Sequence, residues 1–135
     1  MTGTFVIRNY RKTDYDVINS WWLGQGEMPP ESDMMPEDSS FVCEIGGAPA
    51  LAVTVYLTNS KAFAMTDNFV GAPALKGPLR REAAQALSNH IADFARRQGY
   101  KRLFCMCYRE SLEKRYNELG YRTTIRNVTT FVRDL

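Results

Sequence analysis

Residues 71–121 read GAPALKGPLRREAAQALSNHIADFARRQGYKRLFCMCYRESLEKRYNELGY. They contain a loop, a long helix, a strand and a short helix in succession. Leu79, Ala83, Ala86, Leu87, Ile91 and Phe94 fall on one 3.6-residue stripe, the mark of an amphipathic helix. Pro78 suits its first turn, and Gly99 stands where a C-terminal cap belongs. Leu103 to Cys107 is apolar on both faces, as expected of a central strand covered by helices. Leu112, Tyr116 and Leu119 make the inner face of a short helix that stops at Gly120. Strand, long crossover helix, strand: this order makes the two strands parallel neighbours.

Working outward, Phe5–Arg8 alternates weakly and reads as a first strand. Thr13 or Asp14 can cap a helix carrying Tyr15, Val17, Ile18, Trp21 and Trp22, which Gly24 ends. Residues 24–39, with two Gly, three Pro and three Met, form a long irregular loop. Phe41–Ile45 and Ala50–Leu57 are strands joined by the hairpin pair Gly46-Gly47. Ala62–Val70 completes this meander. Tyr121–Ile125 and Val128–Val132 read as two closing strands. The expected order is β-α-β-β-β-α-β-α-β-β, an α+β domain spanning residues 1–135 with a central mixed sheet of about seven strands.

The chain of 135 residues is long enough to bury one core. No apolar run approaches the ~20 residues of a membrane helix. The first residues lack a basic region followed by a long apolar one, and the three cysteines are an odd number, so a cytoplasmic protein with reduced thiols is expected. Cys105 and Cys107 are too few and too close for a four-ligand metal site, so no metal is expected. The net charge of +2 hides a split. Thr13 to Ser60 holds eight acids and no Lys or Arg, whereas Lys61 onward holds fourteen Lys or Arg and seven acids. A basic half can hold an anion, and an acidic half can attract a cation.

The loop opening the long helix is the natural anion site. The first N–H groups of a helix lack internal partners, and the helix dipole adds positive potential. Lys76, Arg80 and Arg81 add full charges, Gly77 permits close backbone approach, and Pro78 removes one donor. His90, the only histidine, falls between Leu87 and Ile91 on the core-facing side and reads as a packed residue.

These elements, and residues 62–121 in particular, resemble the GNAT superfamily of N-acetyltransferases. Arg109-Glu110-Ser111-Leu112-Glu113-Lys114-Arg115-Tyr116-Asn117-Glu118-Leu119-Gly120-Tyr121 is similar to the family's later helix, with Tyr116 at the position of its thiolate-protonating tyrosine and Arg109 replacing an asparagine. The family's pyrophosphate turn reads Arg/Gln-x-x-Gly-x-Gly/Ala. Here it is degenerate: Gly77 and Ala83 remain, while Leu79 and Arg81 stand where glycines would be. The resemblance implies acetyl transfer from acetyl-CoA to an amine without a metal. It implies cofactor binding by the backbone of Phe69, Val70 and Gly71 and by Lys76, Gly77, Leu79, Arg80, Arg81 and Arg109. Tyr116 would be the acid, and Asp67, in an apolar strand at the cofactor end, the base; Glu44 is a weaker candidate for that role. The acidic loop implies a cationic acceptor, on a small molecule or a protein. A homodimer is compatible with this reading, while Arg96, Arg97, Lys101 and Arg102 read as a helix end complementing the dipole rather than as a nucleic-acid surface. The rival expectation is a relative of the same fold that no longer catalyses and serves as a binding or structural component, for example one encoded by a phage.

Overall fold

The computed structural model describes residues 4–107 and 109–135. One sheet has the order β1 (Phe5–Asn9), β2 (Ser40–Ile45), β3 (Ala48–Tyr56), β4 (Ala64–Gly71), β5 (Leu103–Cys105). The first three junctions are antiparallel, and β4–β5 is parallel. Helix α1 (Tyr15–Gly24) follows β1, α2 (Gly77–Arg97) crosses from β4 to β5, and α3 (Glu113–Glu118) follows β5. Gly46 and Gly47 take φ of 60° and 83°, the left-handed pair that a two-residue hairpin turn needs to match strand twist.

Strand alternation divides the core into two layers. Leu51, Val53 and Val55 of β3 pack with Phe41, Ala83, Leu87 and Ile91 beneath α2. Val42 and Ala52 point the other way, to Ile18, Trp21 and Met35 beneath α1. β4 changes phase midway. Leu51 and Ala52 pair with Gly71 and Val70, yet Thr54 and Val55 pair with Asp67 and Thr66. One extra residue therefore stands opposite Val53, at Asn68–Phe69. Asn68 takes φ of 59°, a region that Asn tolerates better than most residues. Its N–H donates to Asp67 Oδ1 at 2.8 Å. Because of the bulge, Ala64 and Phe69 both reach the α2 layer, although plain alternation would send them to opposite faces.

Two expectations need correction. Tyr121–Ile125 and Val128–Val132 form no strands, so the described residues hold five strands rather than about seven. The chain after α3 is tied back to that helix instead. Glu113 accepts from Thr123 at 2.9 Å and from Arg126 at 3.0 Å. Ile125, Val128, Phe131 and Val132 remain exposed. Without those strands, β5 lies at the sheet edge and is half-exposed rather than central, and it ends at Cys105 rather than Cys107.

One buried charge cluster fastens α1 to the sheet. Asp14, at the start of α1, accepts two hydrogen bonds from the Arg8 guanidinium at 2.8 Å each and one from the Arg11 N–H at 2.8 Å. Arg8 also pairs with Glu44 of β2 at 3.2 Å. The Arg8 hydrogen bonds hold the Asp14 carboxyl below its ordinary value, against the opposing effect of burial. A lowered folded value means the stabilisation is present above the unfolded value of 3.8 and is lost as pH falls through the folded one. Asp14→Asn is expected to cost roughly 2–4 kcal/mol at pH 7 in urea denaturation, with the gap to the parent shrinking as acidification below 3.8 protonates Asp14. An equal loss at neutral and acid pH would contradict the ionic role.

Candidate active site

The parallel pairing of β4 and β5 is brief. Ala64, Met65 and Thr66 pair with Leu103, Phe104 and Cys105. β5 then ends, while β4 runs on to Gly71. Among the described residues no strand thus lies beside the outer edge of β4 from Asp67 to Gly71, and its backbone groups need other partners. The direction of one is fixed. Ala72 N–H donates to the Ala50 carbonyl of β3 at 2.8 Å. In a planar trans peptide the Gly71 carbonyl points the opposite way, to the open edge. There it accepts from Gln25 Nε2 at 3.2 Å. Gly71 has no room for a side chain: a Cβ would lie 2.5 Å from Leu51 Cδ2 and 2.7 Å from Arg80 Nη1.

Chemically active side chains gather where the strands part. Cys105, the last residue of β5, lies against the Tyr116 hydroxyl of α3, with Asp67 and Cys107 close by. Burial drives the Tyr116 phenol well above its ordinary value, and the Cys105 thiol adds to the shift. Burial also pushes the Cys105 thiol up to about 11. Both groups are therefore protonated at neutral pH. The Tyr116 ring sits edge-on to Tyr121, with centroids 5.8 Å apart. Asp67 is exposed and shares a face with Thr54, its cross-strand partner. That is the α1 face, since Thr54 stands two residues from Ala52. Beside it, Asn68 Nδ2 donates to the Tyr56 hydroxyl at 3.0 Å, and that hydroxyl donates to the Met34 carbonyl at 2.7 Å. Cys105 pairs with Thr66, whose side chain shares the α2 face with Ala64 and Val55, so the protonated phenol beside Cys105 and the exposed carboxylate stand at one strand end on opposite faces of the sheet. A phenol can donate a proton to a departing anion, and a carboxylate can accept one.

The other sequence-derived residues divide into three groups. Phe69 and Val70 send their side chains into the α2 and α1 layers, which leaves only their backbone to the edge. Arg80 is half-buried and braces the β4–α2 loop, its Nη1 reaching the Leu75 carbonyl at 3.3 Å and the Ala72 carbonyl at 3.5 Å. Burial, then the nearby Arg115, lowers its pKa. Arg81 instead lines a groove between α2 and α3 with Ser111, Lys114, Arg115 and Glu118. Lys76 and Gly77 are exposed at the start of α2, Gly77 with φ of 69°, and Leu79 is half-buried one turn inside. Arg109 forms an ion pair with Glu27, which joins the end of β5 to the acidic loop.

Several relevant residues had no local signal. Gln25 meets Gly71 across 46 positions, and nothing around Cys105 in the sequence announces the Tyr116 hydroxyl beside it. His90 packs edge-on to Phe41 at 4.9 Å, a structural contact. Trp21 is buried in the α1 layer, while Trp22 lies at its margin with Nε1 unpartnered among the described residues. No group of three or more metal-ligating side chains is placed to hold an ion among the described residues, and none of their helices is long and apolar enough to cross a membrane.

No family model and no curated protein matches the sequence. Solved structures do match. Glucosamine-6-phosphate N-acetyltransferase from Arabidopsis thaliana superimposes with a TM-score of 0.69 at 15% identity, over 96% of this chain and 99% of that one. N-acetylglutamate synthase from Neisseria gonorrhoeae, complexed with coenzyme A and L-arginine, gives 0.73 at 15% identity, over 93% of this chain and 28% of that one. An aminoglycoside N-acetyltransferase in complex with coenzyme A gives 0.68 at 16% identity, over 99% and 98%. The chain has the fold of the GNAT acetyltransferases.

The thiols offer a check on the site's environment. Iodoacetamide at pH 8 is expected to alkylate exposed Cys107 first, with Cys105 and buried Cys43, both at about 11, lagging roughly tenfold or more. Peptide mass mapping measures the order. Equal rates at Cys105 and Cys107 would contradict the buried setting of Cys105.

Proposed function

We propose that the chain transfers an acetyl group directly from acetyl-CoA to an amine of a small molecule or protein. The single observation supporting this is the open edge of β4, with the outward carbonyl of Gly71 at one end and, at the other, Asp67 on one face of the sheet and the Cys105–Tyr116 pair on the opposite face. Acetyl-CoA is chemically suited to these residues. Gly71 offers an acceptor for an amide N–H, and the exposed start of α2 with Arg81, Lys114 and Arg115 offers positive charge to phosphates. When bound, the thioester supplies the activated acetyl group.

The chain's own residues then have distinct tasks. Asp67 takes the proton released as the amine forms its C–N bond. Tyr116 gives its proton to sulfur as the C–S bond breaks, a role suited to a phenol held protonated. Arg80 keeps the β4–α2 loop in shape, so its contribution to phosphate binding comes through positioning the start of α2. A cationic acceptor suits the acids of residues 24–39, a loop whose Met34 carbonyl is tied to Tyr56 beside Asn68 of β4. The three free cysteines suit a cytoplasmic setting.

A second reading, a non-catalytic binding protein of this fold, draws on the engagement of Arg80 and Arg109 inside the chain. Calorimetry with acetyl-CoA separates the two: binding at micromolar to low-millimolar levels supports the transferase, and its absence at millimolar cofactor removes it. Given binding, Tyr116→Phe is expected to lower kcat by roughly 10²-fold or more while leaving cofactor affinity within about twofold. An unchanged kcat would remove Tyr116 from the chemistry.

A further inference from the structure

The end of α1 places Gln25 on the open edge of β4 and Glu27 on Arg109, beyond the end of β5. The last turn of α1 is wound tightly: the Gln25 and Glu27 N–H groups both donate to the Trp22 carbonyl, at 3.1 and 3.0 Å, and the Gly26 N–H donates to the Leu23 carbonyl at 3.0 Å. Gly26 takes φ of 74°, which turns the chain sharply between them. Gln25 and Glu27 therefore have fixed starting points. Gln25 Nε2 donates to the outward Gly71 carbonyl, the group that faces away from β3. Glu27 pairs with Arg109, four residues past the end of β5. One short segment thus contacts both β4 and the chain that follows β5.

The rest of the acidic loop is pinned elsewhere. The Tyr15 hydroxyl donates to the Pro30 carbonyl at 2.8 Å, the Tyr56 hydroxyl to the Met34 carbonyl at 2.7 Å, and Asn9 Nδ2 to the Glu37 carbonyl at 2.9 Å. Opening the gap needs no movement of that backbone. It needs only two side chains to let go, one neutral hydrogen bond and one partly exposed ion pair. Each is weak enough to exchange for a ligand.

We propose that Gln25 and Glu27 form a latch across the cofactor slot of the free protein. The Gln25 carboxamide holds the place of the substrate's amide on the Gly71 carbonyl, and Glu27 neutralises Arg109 until an anionic ligand claims it. The latch rests on the acetyl-CoA reading above and adds its regulation: binding must displace two internal contacts, so the free site is guarded against weaker ligands. A carboxamide N–H on Gly71 is chemically the same donor that a pantetheine amide would present. Arg109 is accordingly a residue that changes partners on binding.

Calorimetry with coenzyme A on the parent, Gln25→Ala, Glu27→Gln and the double variant tests this. Each single variant is expected to bind roughly two- to fivefold more tightly than the parent, and the double variant roughly tenfold. A side chain that merely stabilised the site would weaken binding when removed. Affinity equal to or below the parent's in all three variants overturns the latch and leaves the acetyl-CoA reading standing. Absence of binding in all four proteins overturns that reading and the latch with it.

Discussion

A strand edge inside a protein must be paired or capped, and among the described residues β5 leaves the outer edge of β4 unpaired beyond Thr66. Much of the molecule is arranged around that gap. The bulge at Asn68 turns β4 just where β5 leaves it. Gly71 has lost its side chain to Leu51 and Arg80. Gln25 reaches across from α1 to satisfy the one carbonyl whose outward direction is fixed by its neighbour. Arg80 closes the loop that follows. An extended ligand with amide groups could make the same hydrogen bonds as a missing strand, and this links the fold to the proposed chemistry.

Charge and protonation are laid out on either side of the gap. The acidic half of the sequence folds into α1, its loop and the first strands, and the basic half into α2, α3 and their connections. The two meet at Glu27–Arg109. At the inner end, burial keeps Tyr116 and Cys105 protonated. That is the state a proton donor needs, whereas a buried thiol in that state is a poor nucleophile. Direct transfer with Tyr116 as acid therefore accords better with the electrostatics than an acyl intermediate on Cys105.

What could be read from the sequence was what local physics encodes. The apolar stripe of α2 and the Gly46-Gly47 turn depend on residues close in the chain, and both stand in the structure. The pattern around Tyr116 pointed to α3, which the structure sets beside Cys105. Pairing is another matter. Tyr121–Ile125 and Val128–Val132 alternate like strands, but alternation does not name a partner, and Thr123 and Arg126 bind Glu113 instead. The edge position of β5 follows from that same absence. The positive φ of Asn68 and the contacts of Gln25 and Glu27 join distant positions, and no periodicity announces them. The charge of Arg80 is visible in the sequence, while the carbonyls that its guanidinium reaches are not.

The proposed transferase would bind acetyl-CoA along the unpaired edge of β4. A crystal structure of the protein grown with acetyl-CoA tests it most directly. The expected result is density for the pantetheine arm lying beside β4 from Asp67 to Gly71, an amide on the Gly71 carbonyl in place of Gln25, and the thioester beside Tyr116. Density for the cofactor elsewhere, or an edge still capped by Gln25 at saturating cofactor, would contradict it.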